Sequence, residues 1–151
     1  MALAADAMEA DAPLLRLVAY ADGASRGNPG PASFGAVVLD VDGHELQALG
    51  GQIGRNTNNV AEYQGAIAAV EAALELGATE LELHMDSQLI VRQVEGRYRV
   101  RNAMLKPLFD KLVALLDQLD GFKIRHVPRE QNTRADALAN AALDGTLDTI
   151  R

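Results

Sequence analysis

Residues 14–31 constrain this chain more than any other stretch. A mostly apolar run from Leu14 to Ala21 ends on a carboxylate, Asp22, and Gly23, Gly27, Asn28, Pro29 and Gly30 follow at once. An apolar run bounded by turn formers reads as a buried strand, predicted here to stop at Asp22 and turn sharply. That geometry puts one acid at the rim of a sheet. Beside it lies a glycine-rich loop whose backbone N–H groups can approach a phosphate closely. An Asp-Gly pair alone is an ordinary strand end. It gains meaning from three further acids at comparable element ends.

The remaining elements follow from periodicity and punctuation. Phe34 to Val41 reads as a second strand, Asp42-Gly43 as a hairpin turn, and His44 to Ile53 as a third, antiparallel strand. After a loop at 54–57, Asn58 or Asn59 is predicted to cap a helix running to about Leu76, because a side-chain oxygen there accepts from the free N–H groups of the first turn. Val60, Tyr63, Ile67, Val70 and Leu74 recur at helical spacing, and Gly77 ends the run. Leu81, Leu83 and Met85 alternate with Glu82, His84 and Asp86, as in a half-exposed strand. Asp86-Ser87 is expected to cap a short helix through Val94, stopped by Gly96.

Leu105 to Leu119 carries one apolar stripe and reads as an amphipathic helix. Asp120-Gly121 turns the chain into a last strand, Phe122 to Val127. A loop at 128–132 leads to a helix from about Ala135 to Leu143, and residues 145–151 read as a loose tail. The order β-β-β-α-β-α-α-β-α implies an α/β fold with a five-stranded mixed sheet: three antiparallel strands, then strands alternating with helices that pack on the sheet.

Composition narrows the chemistry. At 151 residues the chain fits one domain, and with 48% hydrophobic residues it can build a core without staples. There are no cysteines, so any metal is held by oxygen or by the three histidines. No apolar run approaches the roughly 20 residues of a membrane span. Residues 1–13 hold three acids and no basic residue, unlike a signal peptide, and read as a disordered leader. A cytoplasmic monomer is the expectation. The net charge of −7 argues against a broadly basic, polyanion-binding face. One local strip runs the other way: Arg92, Arg97, Arg99, Arg101 and Lys106 are opposed only by Glu95.

Asp22, Glu62, Asp86 and Asp136 each fall at a strand end or a helix start, where sites gather in α/β sheets. Singly, each suits a cap or a surface position. Brought together they would repel, and each would resist ionising unless a cation neutralised them. Hard divalent ions with oxygen ligands are the natural partner, and Mg²⁺ suits a site that keeps water ligands.

Four segments carry a resemblance: Asp22 to Pro31 (DGASRGNPGP), Thr57 to Tyr63 (TNNVAEY), Met85 to Leu89 (MDSQL) and Asn132 to Asn140 (NTRADALAN). In order and spacing they are similar to the successive motifs of ribonuclease H, type 1, over residues 14–144. The resemblance implies a ribonuclease H-like fold. It implies Asp22, Glu62, Asp86 and Asp136 as catalytic, metal-binding carboxylates holding two Mg²⁺ ions, or Mn²⁺. The implied activity is hydrolysis of the RNA strand of an RNA–DNA hybrid, leaving 5′-phosphate and 3′-hydroxyl ends. It places Asn28, Asn58, Gln88 and the backbone at Gly23 against the minor groove, where contact with the 2′-hydroxyl separates RNA from DNA. Thr57 matches a position that holds a phosphate of the DNA strand.

The chain departs from many relatives in two places. The loop before the last helix is short, so His126 reads as the end of a strand, with Arg129 or Glu130 in a position to substitute for a loop histidine. This short loop resembles the branch of archaea and some bacteria. There is also no tryptophan-bearing basic insert, which leaves Arg97, Tyr98 and Arg99 (with Arg101) to grip the hybrid. His44 and His84 read as structural or exposed. Cleavage of double-stranded RNA or RNA–DNA junctions, a hybrid-binding module that does not cut, and a domain of a larger fusion are the competing readings.

Overall fold

The computed structural model describes residues 13–151; the predicted leader, Pro13 apart, lies outside the described residues. Five strands, β1 (Arg16–Ser25), β2 (Gly30–Asp40), β3 (Glu45–Asn56), β4 (Glu80–Met85) and β5 (Gly121–His126), form one sheet in the order β3-β2-β1-β4-β5. β1 and β3 both run antiparallel to β2, whereas β4 is parallel to β1 and to β5. Tight turns suffice for the first three strands. Parallel neighbours need longer crossovers, and helices α1 (Asn58–Glu75), α2 (Gln88–Val94) and α3 (Lys106–Leu116) supply them. A single 3₁₀ turn at Arg129–Gln131 leads into α4 (Thr133–Asp144), and α5 (Leu147–Ile150) closes the chain.

Several element ends differ from expectation, each because a hydrogen-bond partner overrides local composition. β1 runs past Asp22: Gly23, Ala24 and Ser25 pair with Phe34, Ser33 and Ala32 of β2. On its other side β4 stops at Met85, opposite Ala21. Asp22 is therefore the first residue beyond the parallel half of the sheet while still inside the antiparallel half. The sharp turn is displaced to residues 26–29. Thr57, not Asn58 or Asn59, caps α1, its hydroxyl accepting from the Val60 N–H at 3.3 Å. Of the expected Asp86-Ser87 pair it is Ser87 that caps α2, accepting from the Ile90 N–H at 3.4 Å, which leaves the Asp86 carboxylate unspent. The tail is not loose, because the Arg134 guanidinium donates to the Ile150 carbonyl at 2.7 Å.

The core lies mainly between α1, α3 and the sheet. Leu17, Ala19 and Ala21 of β1 and Leu81, Leu83 and Met85 of β4 meet Tyr63, Ile67 and Val70 of α1 and Leu112 and Leu116 of α3. The contact is close because the buried side of α1 is mostly small: Ala61, Gly65, Ala66, Ala69, Ala72 and Ala73. At Gly23 a Cβ would fall 2.3 Å from the Glu62 backbone nitrogen, and at Gly65 one would fall 2.6 Å from the Asp22 carbonyl oxygen. No side chain fits either position. α4 packs against β1, β2 and β3. It is drawn in at Gly35, where a Cβ would lie 2.2 Å from the Ala135 carbonyl oxygen. Gly35 pairs with Asp22 and Gly23 is the next residue along, so strand alternation puts the two glycine contacts on opposite faces. Both flanking helices are thus pressed onto the sheet at the level of Asp22.

Candidate active site

Three of the predicted acids meet there. Asp22 inside β1, Glu62 early in α1 and Asp86 just past β4 each offer a carboxylate oxygen, and these oxygens lie within 4.8 Å of one another. Asp136, in the first turn of α4, reaches Asp22 but stands outside that mutual distance. The separations along the chain explain the convergence. Gly23 against the Ala61–Glu62 backbone and Gly65 against the Asp22 backbone bring α1 down until Glu62 reaches Asp22, and the Gly35 contact does the same for α4 and Asp136.

The electrostatics are those of acids forced together. Asp22 is 5% exposed. Burial pushes its carboxyl up to about 7, and the charges of Asp86 and Asp136 add to the rise. Glu62 is held well above its ordinary range, first by burial and then by Asp22. One backbone group opposes this. The Gly23 N–H donates to Asp22 Oδ1 at 2.9 Å and also favours the ionised form of Glu62. Glu62 Oε2 is shielded from solvent and has no hydrogen-bond partner. A buried acceptor left unpaired costs roughly 1–3 kcal/mol. A hard divalent cation resolves both problems, by neutralising the acids and ligating the orphaned oxygen, so the donor set fits a metal.

Among the described residues Asp40, Asp42 and His44 form a second acidic group, at the β2–β3 turn. Its chemistry is already spent: Asp40 Oδ1 accepts from the backbone N–H groups of Asp42 and His44, both at 2.9 Å.

The other predicted residues spread outward from the acids. Gly23 sits in the strand, not in a loop, with its N–H turned to the carboxylates. Asn28, in the displaced turn, accepts from the Asn58 N–H at 3.0 Å and so braces the turn against the start of α1. Thr57 shares a cleft of about 380 Å³ with Asn28, Arg55 and Asn102. Gln88 opens α2 and is exposed. Arg97, Tyr98 and Arg99 are exposed on the connection between α2 and α3, where the Arg92 guanidinium lies 5.7 Å from the Tyr98 ring centre. His126 ends β5, as expected, and Arg129 and Glu130 are exposed on the 3₁₀ turn. His84 packs against Tyr20 and binds Glu82, and His44 is exposed.

Sequence reasoning missed the residues that hold the acids in place. Gly35 and Gly65 read as unremarkable small residues in a strand and a helix. Asn132 reads from sequence as the last residue of a loop, yet it is 1% exposed. Its amide donates to the Ala21 carbonyl at 2.9 Å, and its own carbonyl accepts from the Asp136 N–H at 3.1 Å. It therefore ties the first turn of α4 to β1 next to Asp22. A buried-looking Asn four residues before an acid was the available signal.

Comparison with known proteins agrees with this arrangement. A family model described as reverse transcriptase-like matches residues 20–142. A bifunctional protein of Mycobacterium tuberculosis is 49% identical over 131 residues, which is 86% of this chain and 36% of that protein. Ribonuclease HI of Halobacterium salinarum is 49% identical over 129 residues, 85% of this chain and 65% of that protein. The chain thus spans only part of the length of these curated relatives. Among solved structures, RNase H1 of Halobacterium salinarum matches with a TM-score of 0.84 at 48% identity, covering 86% of this chain and 98% of that one. LC11-RNase H1, solved in complex with an RNA/DNA hybrid, matches with a TM-score of 0.82 at 42% identity, covering 87% and 99%.

Proposed function

We propose that this chain, which belongs to the ribonuclease H family, type 1, is a metal-dependent endonuclease that hydrolyses the RNA strand of RNA–DNA hybrids. The observation that carries the proposal is the close meeting of the buried Asp22 with the half-buried Glu62 and Asp86, and the unsatisfied Glu62 oxygen among them. The hybrid bound by LC11-RNase H1 supports the substrate. Residues 14–144 would form the catalytic domain, working as a cytoplasmic monomer.

Asp22, Glu62, Asp86 and Asp136 would hold two Mg²⁺ ions, or Mn²⁺. When bound, such ions supply an acidified water for attack on phosphorus and charge stabilisation for the departing 3′ oxygen. The chain's own residues do the rest. Asp22 and Glu62 would hold the ions as carboxylates, and the Gly23 N–H favours that ionised form at both. Asp136 closes the side of the site toward α4. Products carry 5′-phosphate and 3′-hydroxyl ends.

Asn28, Asn58, Gln88 and the backbone at Gly23 are proposed to face the minor groove. There a partner for the 2′-hydroxyl rejects DNA, because the same polar groups would be left unpaired against it. Thr57, in its cleft with Arg55, is proposed to take a phosphate of the DNA strand. Arg97, Tyr98 and Arg99 are proposed to contact the backbone beyond it. The test is cleavage of an end-labelled hybrid with and without Mg²⁺, beside RNA and DNA duplexes of the same sequence. Metal-dependent cutting of the RNA strand of the hybrid supports the proposal, and an inert hybrid in saturating Mg²⁺ removes it.

A further inference from the structure

A second cleft opens on the opposite side of Asp86 from α1. It lies between α2 and β5, encloses about 900 Å³, and is lined by Arg92, Glu95 and Arg97 on one wall and by residues 122–127 on the other. β5 is the outermost strand on this side of the sheet. Four cations, Arg92, Arg97, Lys123 and Arg125, line it with one acid, Glu95, on a chain whose net charge is −7; along β5, Lys123 and Arg125 alternate with Phe122, Ile124 and His126 and so flank the strand from its other face. Arg125 is shared with Glu82 at 2.9 Å and Arg97 with Glu95 at 3.7 Å. Lys123 and Arg92 form no ion pair among the described residues.

The cleft also has aromatic surface. Phe122 at its foot is 41% exposed, and Tyr98, stacked on Arg92 at the rim, is 48% exposed. Its upper end is formed by Gln88 and His126. That end adjoins the acids: Gln88 is two residues from Asp86, and the Val127 N–H that follows β5 bonds the Met85 carbonyl at 2.9 Å. From there the cleft follows β5 for five residues, roughly 13 Å at about 3.3 Å per residue.

We infer that this cleft binds a single-stranded nucleic-acid segment that continues from a hybrid held at the acids. The inference rests on the nuclease reading for its starting point. Cations that follow a groove beside exposed rings match a strand whose bases are unstacked: phosphates meet the cations and bases lie on the rings. The enzyme would then favour a hybrid with an unpaired tail over a blunt one.

The experiment compares a blunt hybrid with the same hybrid carrying an unpaired tail of about ten nucleotides on each strand end in turn. Wild-type protein and the variants Lys123→Glu and Phe122→Ala are used, and melting temperatures verify folding. In the wild type, at least one tail is expected to lower KM about tenfold with kcat unchanged, in line with one or two stacked bases. Each variant should lose most of that advantage while its kinetics on the blunt hybrid stay within twofold of wild type. No advantage from any tail, an advantage that survives in Lys123→Glu, or equal losses on blunt and tailed substrates would each overturn the cleft as a single-strand site.

Binding of a fluorescent oligothymidylate, read by anisotropy across a salt series, tests the cleft without cleavage. Weaker binding with a shallower salt slope in Lys123→Glu supports it, and unchanged binding counts against it. A wild type that binds the oligonucleotide through Lys123 but cuts nothing would sink the nuclease reading and leave the cleft standing.

Discussion

The acidic rim and the basic flank of this molecule are built in opposite ways. At the rim, Asp22, Glu62 and Asp86 are packed by backbone-to-backbone contacts at Gly23, Gly65 and Gly35 that leave no room for adjustment. On the flank, Arg97, Tyr98 and Arg99 are exposed, with contacts only to near neighbours such as Glu95 and Arg92. The rim concentrates like charge out of water at a cost to stability, which is useful only if a cation is to be recruited. The flank keeps its charge in water, where it costs little and is screened by salt. The proposed function would place chemistry in the fixed region and capture of a long polyanion in the adaptable one.

The largest expected effect breaks the comparison at the rim. Asp22→Asn or Asp86→Asn should lower hybrid cleavage at least about 1000-fold, beyond the roughly 10–100-fold typical of losing a partner once removed from a metal. Folding, followed by circular dichroism, should be unchanged. Near-full activity in either variant would detach the acids from the chemistry.

Stability against pH sharpens the same contrast. Asp22 is raised to about 7 in the folded protein from 3.8 in the unfolded chain. Below about pH 4 both states hold the proton and the group is neutral to folding. As pH rises from 4 to 7 the unfolded chain ionises first, so the metal-free protein should lose stability, by about 4 kcal/mol from this group at about 1.36 kcal/mol per unit. Glu62 pushes in the same direction. Above pH 7 Mg²⁺ should raise the melting temperature of the wild type. Metal-free Asp22→Asn should melt higher than metal-free wild type at pH 8 and gain nothing from Mg²⁺. A metal-free wild type that grew more stable between pH 4 and 7 would contradict the buried cluster.

A smaller effect is expected from the glycine that seats α4. Gly35→Ala sets a methyl 2.2 Å from the Ala135 carbonyl oxygen. It should cost about 2 kcal/mol in urea unfolding as α4 lifts, and should reduce cleavage by displacing Asp136. Gly121→Ala serves as a control for crowding, because the nearest atom to a Cβ there lies 3.9 Å away; it should leave cleavage unchanged.

The smallest effects belong to the flank. Arg99→Ala should raise KM on long hybrids a few-fold, leave kcat and melting temperature alone, and reduce the salt slope of binding by about one. A kcat loss there would mean that the flank does more than capture.

Much of this was legible from residues alone. Alternation in Leu81, Leu83 and Met85, the 3.6-residue spacing of Val60, Tyr63, Ile67 and Val70, and glycines at 77 and 96 marked elements whose type needs only local information. The four acids were found because they recur at element ends within four distinctive segments. What local reasoning misplaced were ends set by a neighbour. β1 continues past Asp22 because β2 supplies partners. Asn132 was passed over because its importance lies in a bond to Ala21, 111 residues away.

The sequence by itself determined the element types, the mixed sheet and the identity of the acids, because periodicity, turn chemistry and charge act over a few residues. Only the tertiary structure decided that three of those acids bring carboxylate oxygens within 4.8 Å of one another while the fourth stands beside Asp22, and that a basic cleft lies along β5. The meeting of the acids depends on how closely α1 and α4 approach the sheet, a distance set by Gly23, Gly35 and Gly65 meeting backbone from remote segments. No local pattern encodes that approach.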